Sequence, residues 1–251
     1  MSGTLRLLID PPRGGAGNMA VDEAILQAVG QADAPPTLRL YRWREPTLSL
    51  GYSQSRGDIR AAGAEVQALP LVRRPTGGGA IVHADELTYS LVLPTSAAGA
   101  APAEIYRRVN AAIILAVESL TGRRGLVREH SGNGGAGAKR ARTFFCFERR
   151  SPHDLLAGAD KLAGSAQRRT GRAVLQHGSV ILRRAFPVQA SASLAEIAGR
   201  EVGFEEAAEA LARAFRDAGT ALQPGALAQA ERDAIGPLKS KHASDEWLRR
   251  R

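Results

Sequence analysis

The run Arg73-Arg-Pro-Thr-Gly-Gly-Gly-Ala-Ile-Val-His83 sets the fold: extended residues lead into three consecutive glycines, and extended residues leave them. Leu69 to Arg74 predicts a strand that Gly77, Gly78 and Gly79 break, and Ala80 to Val82 and Thr88 to Leu93 resume β character. Glycines at such a corner let a ligand come close to the backbone. The neighbouring guanidiniums can meet a phosphate or a carboxylate. Taken alone, the run fits an ordinary hairpin corner equally well.

Upstream of the corner, Asn18 is placed to cap a helix running through Met19, Ala20, Ile25, Leu26 and Val29. Asp22 and Glu23 come early in it, where the helix dipole favours acids. Thr37 to Trp43 and Thr47 to Gly51 alternate as strands, with Pro46 marking the turn between them. Downstream, Ala103 to Leu120 is the clearest helix, with Ile105, Val109, Ile113, Ala116, Val117 and Leu120 on one face. Gly122 to Arg142 then reads as a mobile basic loop, glycine-rich around Gly132 to Ala138. Short β pieces are expected at Phe144 to Phe147, Leu155-Leu156, Lys161 to Ala163 and Val174 to Leu182, and a helix at Phe204 to Ala218. Strands, helix, strands, helices in that order predict an α+β fold rather than an alternating parallel one. The expectation is one domain over residues 1–251, with 183–251 a helical C-terminal extension.

Composition limits the function classes. A chain of 251 residues that is 44% hydrophobic can bury one sizeable core and is too aliphatic for a disordered protein. The formal net charge of +9 points to a nucleic acid, an acidic protein partner, or simply an Arg-rich solvated surface. No apolar run is long enough to span a bilayer, and Asp10, Pro11, Pro12 and Arg13 interrupt any signal-peptide core, so the cytoplasm is the default expectation. Cys146 is the one cysteine, which excludes an internal disulfide. The five histidines lack ligand spacing, so no metal site is expected.

Chemistry concentrates in Cys146-Phe-Glu-Arg-Arg-Ser-Pro-His-Asp154 and, beyond it, Asp160-Lys-Leu-Ala-Gly-Ser-Ala-Gln167 and Leu175-Gln-His-Gly-Ser179. The attacking form of cysteine is the thiolate, and a nearby cation favours it; Lys161 supplies that cation if the strands bring it close, and is otherwise a solvated amine. Gly132-Asn-Gly-Gly-Ala-Gly137 satisfies a dinucleotide-binding string, but no strand precedes it and no periodic helix follows, so a flexible loop is the better account.

Asn18-Met-Ala-Val-Asp-Glu-Ala, the Arg73–His83 run and Asp160–Gln167, in this order, resemble the biotin/lipoate protein ligase family over residues 4–185. Glu86-Leu-Thr-Tyr-Ser90, Cys146-Phe147 and Leu175–Ser179 are similar to its cysteine-dependent octanoyltransferase branch. The resemblance implies a mixed central β-sheet flanked by helices, and an acyl channel ending near the glycine corner. It implies transfer of an octanoyl or lipoyl group from an acyl carrier protein to a lysine of a lipoyl-domain protein, such as glycine cleavage protein H or a 2-oxoacid dehydrogenase subunit. Cys146 would hold the acyl thioester and Lys161 would assist it, with no cofactor. Arg74, Thr76, Gly77, Gly78, Gly79, His83, Gly164, Ser165 and His177 would line or bind the acyl site, with backbone amides near Gly77–Gly79 or near Gly164 and Ser165 holding an oxyanion. The alternative is an ATP-dependent lipoate-protein ligase, which would need ATP and Mg. Gly79, standing where many transferases carry Arg, favours that alternative, and the basic loop is unusual for the branch. A third reading, nucleic-acid binding through Arg123 to Arg150, is carried by charge alone.

Overall fold

The computed structural model describes residues 4–98, 101–130, 144–148 and 150–250. The glycine-rich part of the expected basic loop lies outside them. In chain order the elements are β1 (Thr4–Ile9), α1 (Gly15–Gln31), β2 (Thr37–Tyr41), β3 (Thr47–Leu50), α2 (Ala64–Gln67), β4 (Leu71–Arg73), β5 (Ile81–His83), β6 (Glu86–Pro94), α3 (Pro102–Thr121) and β7 (Val127–Glu129). They continue with β8 (Leu155–Ala157), β9 (Asp160–Arg169), β10 (Ala173–Ile181), α4 (Leu194–Ala198), α5 (Phe204–Asp217), β11 (Ala221–Pro224), α6 (Gln229–Ala243) and α7 (Asp245–Arg249).

The fold is α+β. Eight strands form a mixed sheet in the order β11-β1-β2-β6-β10-β9-β8-β7, and β4-β3-β5 form a second, smaller one. β1 pairs in parallel with β2 and β11; the other pairings of the large sheet are antiparallel. β6 and β10 lie at its centre, and β10 is buried along its whole length. A strand covered on both faces reads as a continuous run rather than an alternating one. α3 and α5 cover one face through Val109, Ile113, Leu211 and Phe215, packed against Leu40 and Leu91. α1 covers the other through Val21, Ile25 and Val29, against Val92 and Leu175.

The local signals explain most boundaries. α3 opens with proline in its first turn and closes on Gly122 at φ 66°, the left-handed position that glycine fills without strain. α1, by contrast, begins at Gly15, so Asn18 is not its cap. Asn18 is buried inside the helix. Its amide donates to the carbonyls of Arg13 and Arg42, both at 3.3 Å, and its Oδ1 accepts from Arg39 at 2.9 Å. Phe144 to Phe147 forms no strand; one bridge joins Phe145 to Ala80. β9 runs ten residues, well beyond the expected Lys161–Ala163. The segment after residue 183 holds four helices and also β11, which extends the large sheet beside β1.

Candidate active site

The glycine corner joins β4 to β5 and lies against β3. Gly78 adopts φ 101°, open to glycine at low cost. Gly79 is glycine for a different reason: a Cβ there would sit 2.8 Å from the Cys146 amide nitrogen and 3.0 Å from its Cα. The corner and the cysteine segment are laced together by Ala80 N–H donating to the Phe144 carbonyl (2.9 Å) and Cys146 N–H donating to the Ala80 carbonyl (2.7 Å). The Gly79 position is therefore set by close backbone approach to the cysteine.

Cys146 is partly buried and its Sγ lies 3.7 Å from the Lys161 Nζ. Lys161 opens β9 and is 1% exposed. Its ammonium pairs with Asp154 Oδ1 at 2.8 Å and lies 3.5 Å from the Cys146 carbonyl oxygen. Gly164 makes room for it, since a Cβ there would fall 2.4 Å from Lys161 Cε and 2.7 Å from Nζ. An ammonium at this distance stabilises negative charge on the sulfur.

Both arginines of the corner were expected to meet anions; both donate to main-chain carbonyls. Arg73 holds those of Gly51, Tyr52, Gln54, Trp247 and Leu248, so it ties the C-terminal helix α7 to the loop after β3. Arg74 donates to Ser49 (3.1 Å), Gly77 (2.8 Å) and Gly79 (2.7 Å), with no carboxylate partner among the described residues. Burial pulls the Arg74 pKa below its usual value, and the Cys146 sulfur acts in the opposite direction.

The two histidines sit in wall networks. His177 Nε2 is 2.6 Å from Thr76 Oγ1 and its Nδ1 is 3.2 Å from Asp22 Oδ2. Burial lowers its pKa and Asp22 opposes that shift. His83 stacks on Trp43, centroids 3.9 Å apart, with Nδ1 2.7 Å from Glu86 Oε1. Ser165 Oγ is 2.5 Å from the Tyr89 hydroxyl, whose pKa burial pushes up to about 12.

One cavity of about 1410 Å³ is lined by Arg74, Gly77, Gly78, Gly79, His83, Cys146, Lys161, Gly164, Ser165 and His177. Thr76 stands behind its wall, reached through His177. The cavity exceeds the roughly 300–1,000 Å³ of a small-molecule pocket, leaving room for more than an eight-carbon chain. The two proposed oxyanion sites differ. Gly164 and Ser165 lie in β9 and are paired with β10, whereas the amides of Gly77, Gly78 and Gly79 donate to no acceptor among the described residues. Sequence reasoning gave Asp22, Asp154 and Glu86 no role in the site itself. Asp22 was visible as the acid one helical turn after Asn18, but its partner His177 is remote in sequence. No group of three metal-ligating side chains occurs among the described residues, and no helix there is long and apolar enough to cross a membrane.

Beside the large mixed sheet, the small sheet carries a glycine corner zipped to a cysteine, with a buried lysine next to the sulfur, the arrangement of a candidate catalytic domain. The family model of the lipoyl protein ligase A/B catalytic domain matches residues 15–185, and the chain belongs to that family. It is 35% identical to octanoyltransferase LipM of Kyrpidia tusciae, over 97% of this chain and 98% of that one. It is 33% identical to octanoyltransferase LipM of Geobacillus kaustophilus, over 92% of each. Its fold is similar to that of lipoate-protein ligase A solved with ATP: TM-score 0.74, 22% identity, over 99% of this chain and 98% of that one. It is also similar to a structure from a bipartite lipoate protein ligase and its E2 lipoyl domain from Thermoplasma acidophilum: TM-score 0.70, 20% identity, over 98% and 96%.

Proposed function

We propose that the protein is an octanoyltransferase of lipoate metabolism, working in the cytoplasm through a thioester on Cys146. The observation that carries this reading is the Cys146 sulfur lying 3.7 Å from a buried ammonium, in a cavity walled by the glycine corner. The relatives named octanoyltransferase LipM, matched over nearly the whole chain, support the same activity.

In this mechanism the Cys146 thiolate attacks the thioester carbonyl of an octanoyl acyl carrier protein. The amides of Gly78 and Gly79 receive the oxyanion; one such donor is typically worth about 3 kcal/mol. The carrier thiolate leaves and takes a proton, with Lys161 next to the sulfur as the donor. A lysine amine of a lipoyl domain, as in glycine cleavage protein H or a 2-oxoacid dehydrogenase subunit, then attacks the Cys146 thioester. It gives its proton to the now neutral Lys161 amine, forms the amide and releases the Cys146 thiolate beside the restored ammonium. Splitting the transfer into two substitutions replaces one slow step with two easier ones. His83 and His177 act as wall residues that hold Trp43 and Thr76, and Arg74 balances charge at the sulfur. No cofactor enters; ATP and Mg belong to the ligase alternative. The charge of +9 suits acidic carrier domains, so raising salt should slow their encounter.

Intact-mass analysis tests the reading. Mixing with octanoyl carrier protein, without ATP, should give a hydroxylamine-sensitive octanoyl adduct that Cys146→Ser abolishes. An activity that requires octanoate and ATP and survives Cys146→Ser would instead make the protein a ligase.

A further inference from the structure

We propose that Asp154 is a positioning residue that aims the Lys161 ammonium at Cys146; this rests on the reading of Cys146 as the acylated nucleophile. An ammonium has three N–H donors, and here three acceptors surround it: Asp154 Oδ1 at 2.8 Å, the Cys146 carbonyl oxygen at 3.5 Å and the Cys146 sulfur at 3.7 Å. The carboxylate contact is the short one and fixes where the other two donors point. Both side chains are almost wholly buried, 2% exposed for Lys161 and 4% for Asp154. Without its carboxylate, a lysine so buried would swing away from the sulfur, because an unpaired buried cation is costly.

Asp154 is itself held from several sides. Its Oδ2 accepts the Ser151 amide at 2.7 Å, its own amide donates to the Ser151 carbonyl, and its carbonyl accepts from the His130 amide at 2.7 Å. The preceding residue, His153, sits in the left-handed region at φ 73°, a conformation that a non-glycine residue keeps only when its surroundings impose it. Those surroundings are Asn110, donating to the His153 carbonyl at 2.8 Å, the Tyr106 ring stacked on the imidazole, and Glu129 bonded to its Nδ1. Helix α3 and strand β7 thus force the turn that delivers the carboxylate. From the far side, the missing side chain of Gly164 leaves the lysine its space.

The test is single-turnover acylation of Cys146 by octanoyl carrier protein, followed against donor concentration. It uses the wild-type protein, Asp154→Asn, Lys161→Gln and the double variant. Asp154→Asn should lower the maximal rate by on the order of tenfold to a hundredfold while leaving the half-saturating donor concentration within about twofold. In the Lys161→Gln background it should make no further difference, because a residue acting through another shows full coupling to it. Gly164→Ala, which crowds Lys161 and leaves Asp154 in place, should slow acylation likewise and covers the case in which Asp154→Asn does not fold. Wild-type rates in Asp154→Asn or in Gly164→Ala, or equal slowing with and without Lys161, would overturn the inference while leaving the function intact. A wild-type protein that forms no thioester at Cys146 refutes the functional reading, and this inference with it.

Discussion

Two buried arginines, Arg74 in the cavity lining and Arg39 outside it, are treated by the molecule in opposite ways. Arg39, on β2 beneath α1, meets Asp10 and Asp22, each at 2.7 Å, and Asn18 at 2.9 Å. Burial pulls its pKa down, but Asp22 and Asp10 more than restore it, and it ends above its usual value. Arg74, at the glycine corner, meets only carbonyls, and burial leaves its pKa lowered. In the first region every charge is matched, and Tyr41, Ser90 and His177 use up the remaining lone pairs of Asp22. In the second, Asp154 answers Lys161, but nothing among the described residues answers Arg74 except the neighbouring sulfur. The balanced region is scaffold. The region with surplus positive charge is the one suited to receiving an anion, as the proposed transfer would require.

The largest effect is expected at Arg39. Arg39→Met would leave the fully buried Asp22 without its guanidinium, while Asp10 keeps Arg13 at 2.8 Å, a loss of about 3–5 kcal/mol. Chemical denaturation should show this as a lower midpoint with an unchanged slope. If the protein tolerated the change as a surface substitution, the matched network would not be scaffold.

Acid should act on the same region with a smaller effect. Burial pushes the Asp22 carboxyl up, but Arg39 and His177 outweigh it and hold the pKa at about 2, against an ordinary 3.8. The folded pKa is the lower one, so its stabilisation is complete above about pH 4 and is lost as pH falls toward 2, about 2 kcal/mol in all. His177, whose pKa burial lowers from 6.5, begins the loss earlier, since the unfolded state takes up its proton first as pH drops. Asp10 and Glu86, also lowered, act in the same direction as Asp22. Stability measured between pH 7 and pH 3 should therefore fall steadily, and Asp22→Asn should flatten the lower part of that curve.

The corner was legible in the sequence because its elements are local. Three adjacent glycines between extended runs announce a tight approach, and Cys146 and Lys161 are brought together by the short β8 and the turn into β9. The matched region was not legible. Asn18 carries the side chain of a helix cap, yet α1 starts three residues earlier and spends that amide on the carbonyls of Arg13 and Arg42. Asp22 meets His177 only because β10 lies under α1, a fact of topology that no spacing reveals. β11 was missed for a similar reason. Its four residues are mostly exposed and end in proline, so only the neighbouring β1 makes them a strand. Gly79 counted toward the ligase alternative; the sequence did not show that its absent side chain is also required by the Cys146 backbone.

The smallest expected stability effect lies at Arg74. Arg74→Met strips donors from the carbonyls of Ser49, Gly77 and Gly79, which costs stability. It also removes a buried charge that no carboxylate matches, which returns much of that cost. The net loss should be about 1 kcal/mol, well below that of Arg39→Met, and thermal or chemical denaturation of the two variants side by side would measure the gap. Function should rank them the other way. Acylation of Cys146 should slow by on the order of tenfold in Arg74→Met, because the cation next to the developing anion is gone. Arg39→Met, assayed where it remains folded, should acylate at close to the wild-type rate. A variant of Arg74 that unfolds as readily as that of Arg39 would mean the corner is held by its carbonyl bonds, and the surplus charge would then be a by-product of holding three glycines in place.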